Sequence, residues 1–165
     1  MHACIASWGA LVIVALLSAP LAAQDRMAEM RSRFEHETNP VRRAKLLPDL
    51  GEAEFREIRR NVEREKGAEA LTLLRAYREQ AQQCAEALDK TKVDPERHPG
   101  GYKQLQISIQ ESLRRVDSLL PLLTSDDQAA FVEVRKDLDD MNRHLIEQLF
   151  PQRLPATQRP EKPEP

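Results

Sequence analysis

Asp140, His144 and Glu147 are separated by steps of four and three, which places two carboxylates and an imidazole on one side of a helix, with Asp137 nearby. Such a set holds zinc when a second helix supplies a further nitrogen or oxygen ligand. The same segment carries Asp126, Asp127, Glu133 and Asp139 against Arg135, Lys136 and Arg143, so a solvated acidic face explains it without a metal. A solvated acidic face is the expectation, with no metal ligand, no cofactor site and no catalytic residue. His36 lies between Glu35 and Glu37, and consecutive helix residues do not face one another. His98 stands in a Pro/Gly-rich loop, where exposure is the ordinary outcome.

Cys84 is a possible nucleophile or an interchain disulfide partner, but it shares a stripe with Ala81 and Leu88, which favours a buried, inert thiol. An enzyme site would need the fold to join Tyr77, Tyr102, His98 and carboxylates in one pocket. Glycine-rich phosphate loops and the CxxC, CxxCH, HExxH and GxSxG patterns are all absent from the sequence. The segment 40–66 is rich in arginine, with Arg42, Arg43, Arg56, Arg59, Arg60 and Arg64. Interleaved Glu52, Glu54, Glu57, Glu63 and Glu65 make these read as helix-surface ion pairs. A nucleic-acid role would want aromatics among the basic residues and a larger positive excess, so none is expected.

These residues sit in a chain of 165 residues with a formal charge of −2, the length of one domain. The charge is unevenly placed, since Met1 to Ala23 contains no Lys, Arg, Asp or Glu. Its unbroken apolar run from Gly9 to Leu17, then Pro20 and the small pair Ala22 and Ala23, has the order of a secretory signal peptide. Cleavage between Ala23 and Gln24 is expected. A retained membrane anchor is the alternative, because Ala3 to Ala23 approaches the roughly 20 residues that cross a bilayer; Pro20 and the small residues favour removal. Export to a periplasm or to the medium follows, with no membrane attachment after cleavage and Cys84 left as the sole cysteine.

From residue 26 to 150 apolar residues recur at three- and four-residue steps, the signature of helices with one buried stripe. A short first helix carries Met27, Met30 and Phe34. Asn39 caps a second, with Pro40 at its first position, and its stripe is Ala44, Leu47, Gly51, Phe55, Ile58 and Val62, bent or broken at Pro48. A third holds Ala70, Leu74, Tyr77, Ala81, Cys84 and Leu88. After a loop ending at Gly101, a fourth holds Tyr102, Leu105, Ile109, Val116, Leu119 and Leu123, with Pro121 disturbing its last turn. Ser125 and Gln128 fit a capping box for a fifth, whose Phe131, Val134, Leu138, Met141 and Leu145 form a 3,4-spaced seam. Five prolines between Pro151 and Pro165 mark a disordered tail.

The run Leu123-Thr124-Ser125-Asp126-Asp127-Gln128 resembles the LTxxQ signature of small exported helical chaperones of the bacterial envelope, with one residue too many. The match covers six residues and the capping box explains its Ser and Gln, so no family property is carried over.

The expected architecture is all-α: an antiparallel bundle of about four long amphipathic helices plus a short N-terminal one, over residues 24–150, between a signal peptide (1–23) and a tail (151–165). The expected role is that of an exported, non-enzymatic protein acting through a protein partner or self-association. An envelope metal- or stress-responsive binder using the acidic fifth helix is the alternative, and a small enzyme with an inter-helix site is the third.

Overall fold

Asn39 begins the first long element in the manner its residue type dictates. Its extended backbone (φ −81°, ψ 117°) lets the side-chain oxygen accept from the Arg42 amide at 3.0 Å, and Pro40 occupies the first helical position, where its missing N–H costs nothing. In the computed structural model, which describes the backbone of residues 19–151 and the side chains of residues 26–151, five α-helices follow one another. They are α1 (Ala19–His36), α2 (Pro40–Glu63), α3 (Gly67–Asp89), α4 (Gly100–Leu119) and α5 (Ser125–Leu149). A 3-10 turn, Leu120–Leu122, joins the last two around Pro121. No strand occurs among the described residues, and no helix among them is long and apolar enough to cross a membrane.

Several expectations need correction. Helix α2 is not broken at Pro48, which lies inside an uninterrupted helical span; tertiary packing of Leu47, Leu50 and Gly51 on both sides holds it. Ser125 is not the cap of α5. Thr124 is, accepting from the Asp127 amide and donating to the Asp127 carboxylate, while the Gln128 amide donates instead to the Leu120 carbonyl. The two glycines expected to end the loop form the first turn of α4. An added Cβ at Gly101 would stand 2.6 Å from a Leu88 methyl and 3.4 Å from the Val41 Cα, so the buried Leu88 side chain would have to shift. Helix α1 starts at Ala19, upstream of the expected cleavage point, so the bond between Ala23 and Gln24 falls within it. Residues 1–18 and 152–165, with most of the expected signal segment and the tail, lie outside the described residues.

The apolar stripes converge as their spacing requires. Every stripe residue named above for the second and third helices is buried, as are Phe34, Tyr102, Leu105, Ile109, Val116, Leu119, Phe131, Val134, Leu138 and Leu145. Helix α2 packs against α3 and α4, and α5 packs against the same two, so α2 and α5 stand at opposite corners of a four-helix square. Arg59 near the end of α2 meets Ser118 near the end of α4, and Asp89 at the end of α3 meets Gln148 at the end of α5, so α2/α4 and α3/α5 run parallel and successive helices antiparallel. Helix α1 lies against α2. The seam of α5 is spent inside the chain on α3 and α4.

Candidate functional site

One group of polar residues is internal. Glu54 has no exposed surface, and its Oε1 accepts from Arg31 of α1 at 2.7 Å and from the Gln80 amide at 3.2 Å, while Oε2 has no hydrogen-bond partner. Glu54 is thus not one of the surface ion pairs expected from the interleaved arginines and glutamates. The correction follows from its position three residues after Gly51 and four before Ile58, on the inward stripe. Arg43 stacks over Phe34 with its guanidinium 4.7 Å from the ring centre, so α1 is held by two arginine contacts and one buried ring.

Tyr77 is also sealed. Ser112 Oγ donates to its hydroxyl at 2.6 Å, Ser108 Oγ lies 3.3 Å away, and Phe55 meets its ring edge-on at 5.2 Å. Burial raises the Tyr77 phenol above its ordinary range, and the two serines oppose that only in part. Tyr102 is buried near the start of α4, His98 is exposed in the loop, and neither of the two clefts between parallel helices is lined by either residue or by Tyr77. Cys84 is fully buried, and desolvation pushes its thiol up to about 11 despite the nearby Arg43 charge. The buried, inert reading of Cys84 is the one the fold supports.

The acidic set on the fifth helix is divided among other partners. Asp137 pairs with Arg78 of α3 at 3.7 Å, and Asp140 pairs with Arg143. Asp140 and His144 line a shallow cleft with Asp137, whereas Glu147 does not. Among the described residues no three His, Cys, Asp or Glu side chains are grouped as a metal would require. His36 turns back to its own helix, with Nδ1 2.7 Å from the Ser32 carbonyl.

What the sequence reading missed are two clefts, each running between parallel helices. The first, about 330 Å³, lies between α2 and α4 and is lined by Glu52, Phe55, Arg56, Arg59, Arg115, Ser118 and Leu119. Phe55 and Leu119 are buried and form its apolar floor. Arg115 lies over the Phe55 ring at 5.7 Å, within reach of Glu111 only at 4.0 Å, and Arg56 pairs with Glu52 at 3.4 Å. Arg59 donates to the Ser118 hydroxyl at 3.1 Å and has no carboxylate partner among the described residues. The second, about 420 Å³, lies between α3 and α5, where Glu86, Asp89, Asp137 and Asp140 surround Ala85 and Met141 with Arg78 the one arginine.

Comparison with known proteins supplies no relative: neither a family model, a curated protein nor a solved structure matches this chain.

Proposed function

We propose that this is an exported, non-enzymatic helical protein that acts by binding another polypeptide through the arginine-lined cleft between α2 and α4. The observation that carries the reading is the combination at that cleft of three arginines, one glutamate and a floor of Phe55 and Leu119. Arginine and aromatic rings are the residue types on which protein interfaces concentrate their binding energy. A guanidinium fork takes a carboxylate through two parallel hydrogen bonds, and its planar face stacks on a ring, as Arg115 does on Phe55. The cleft therefore suits an acidic segment carrying one or two apolar side chains.

Export rests on the uncharged, apolar Met1 to Ala23 segment, and processing between Ala23 and Gln24 leaves residues 24–36 of α1 with both anchors, Arg31 and Phe34. N-terminal sequencing of the protein from the envelope or medium fraction tests this, with Gln24 the expected first residue.

Fluorescence polarisation of a labelled peptide of alternating glutamate and leucine tests the cleft. Saturable binding that weakens at least tenfold in Arg59→Glu/Arg115→Glu is expected. No binding, or binding equal in the two proteins, overturns the proposal.

A further inference from the structure

The square arrangement of helices leaves four outer faces, and they are used differently. The Glu54, Gln80 and Arg43 contacts place α1 over the α2/α3 face. The α4/α5 face is tied by the Arg135 to Asp117 ion pair and by the Gln106 amide donating to Asn142 at 3.0 Å. The two remaining faces, α2/α4 and α3/α5, are opposite sides of the bundle, and each is an open cleft between parallel helices.

Their charges are opposite and incompletely spent within the chain. On the α2/α4 face Arg59 meets only a hydroxyl. On the α3/α5 face Glu86 accepts only the Gln82 amide at 3.0 Å. Asp89 accepts the Gln148 amide at 3.1 Å and lies beside the Tyr102 hydroxyl, and among the described residues no cation pairs with either carboxylate. Both clefts have apolar floors, Phe55 with Leu119 on one side and Ala85 with Met141 on the other.

From this we infer that the occupant of the α2/α4 cleft is the acidic α3/α5 face of a second copy of this chain. The inference rests on reading the α2/α4 cleft as a protein-binding surface, and it names the partner. Opposite faces that complement each other give a head-to-tail contact, which either closes into a ring or continues as a chain of bundles. The clefts also differ in height. The basic one flanks the C-terminal parts of α2 and α4 and the acidic one the C-terminal part of α3, which points the other way. At 1.5 Å per residue the centres are offset by roughly 10–15 Å along the bundle axis, so successive copies are staggered rather than level. A contact made by exposed charge over a small apolar floor forms quickly, is weak, and is screened by salt.

Sedimentation velocity on the purified protein, from 5 to 200 µM in 50 mM and 500 mM NaCl, reads the association directly. Concentration-dependent species larger than a dimer at low salt, reduced at least tenfold in association constant at high salt, are expected. Arg56→Glu/Arg59→Glu reverses one face and Glu86→Arg/Asp89→Arg the other. Each variant alone is expected to be monomeric, and an equimolar mixture to associate again. All four positions are exposed, so helical content is expected to be retained. Should a reversal variant lose its helical signal, Arg59→Gln and Glu86→Gln are measured in its place, with the same loss expected.

A monomer at every concentration overturns the inference. So does an oligomer insensitive to both reversals, or a closed dimer that only one reversal disrupts. The acidic peptide separates the two levels: a monomer that still binds it through Arg59 and Arg115 removes only the second copy as partner, whereas a monomer that does not bind it removes the binding reading as well.

Discussion

Replacing Arg31 with methionine removes one charge from a pair whose other member cannot reach water. Glu54 has no exposed surface, and among the described residues its Oε2 already lacks a partner and Gln80 would be its sole remaining donor. Removing one partner of a fully buried ion pair costs about 3–5 kcal/mol, because the surviving charge stays desolvated. Arg31 itself is 36% exposed, so the pair is screened on one side and the expected loss falls to about 2–3 kcal/mol. For a domain of this size that is a fall in Tm of about 8–12 °C. The double variant Arg31→Met/Glu54→Met removes both charges and keeps the volume, and it is expected to recover most of the loss. Urea denaturation followed by circular dichroism measures each corner of the cycle. Because α1 packs mainly on α2, hydrogen exchange is expected to quicken first in residues 26–36. An Arg31→Met protein as stable as wild type, or a double variant worse than the single, would refute the assignment of Glu54 as a buried charge held by α1.

Leu138→Asp places a carboxylate at a fully buried position of α5 and is expected to cost more than about 3 kcal/mol in urea titration; an unchanged midpoint would mean that α5 turns another face inward. Gly51→Ala sets a methyl 2.8 Å from the Tyr77 ring, which Ser108 and Ser112 hold by its hydroxyl, and a loss of about 1–3 kcal/mol is expected in the same assay. Cys84 is expected to resist iodoacetamide in the folded protein at pH 8 and to react in 6 M guanidinium, as mass spectrometry would show. The Cys84 pKa is raised on folding from 9.0 to about 11, so its contribution is fully present below pH 9 and is lost as pH rises toward 11. Over that window wild type is expected to lose stability relative to Cys84→Ala, by at most about 3 kcal/mol.

The helices were legible because their apolar residues keep step with the 3.6-residue turn: Phe131, Val134, Leu138 and Leu145 pack as their spacing requires, whereas Met141 is only half-buried at the α3/α5 cleft and Asn142 is buried beside it. Glu54, Ser108 and Ser112 were harder to see, since a polar residue in an inward register reads as surface until its partner is known. Their positions carried the signal all the same: Glu54 beside Gly51, Phe55 and Ile58, and the serines beside Leu105, Ile109 and Leu113. The clefts were not legible. Arg59 and Ser118, or Arg78 and Asp137, are brought together only when α2 neighbours α4 and α3 neighbours α5, and stripes on four amphipathic helices do not fix which two stand diagonally. Pro48 does not break α2 for a related reason, because local chemistry gives the penalty for proline in a helix but not the packing that outweighs it.

The most direct test of binding at the arginine-lined cleft is photo-crosslinking from a benzoyl-phenylalanine at Ser118, which lines the cleft, against the same probe at Lys103, an exposed position at the other end of α4. Irradiation in the native compartment is expected to give a discrete polypeptide adduct from position 118 and none from 103, with mass spectrometry placing the attachment in residues 78–89 or 137–144 of a second copy. No adduct from 118, or the same adducts from both positions, would contradict binding at this cleft.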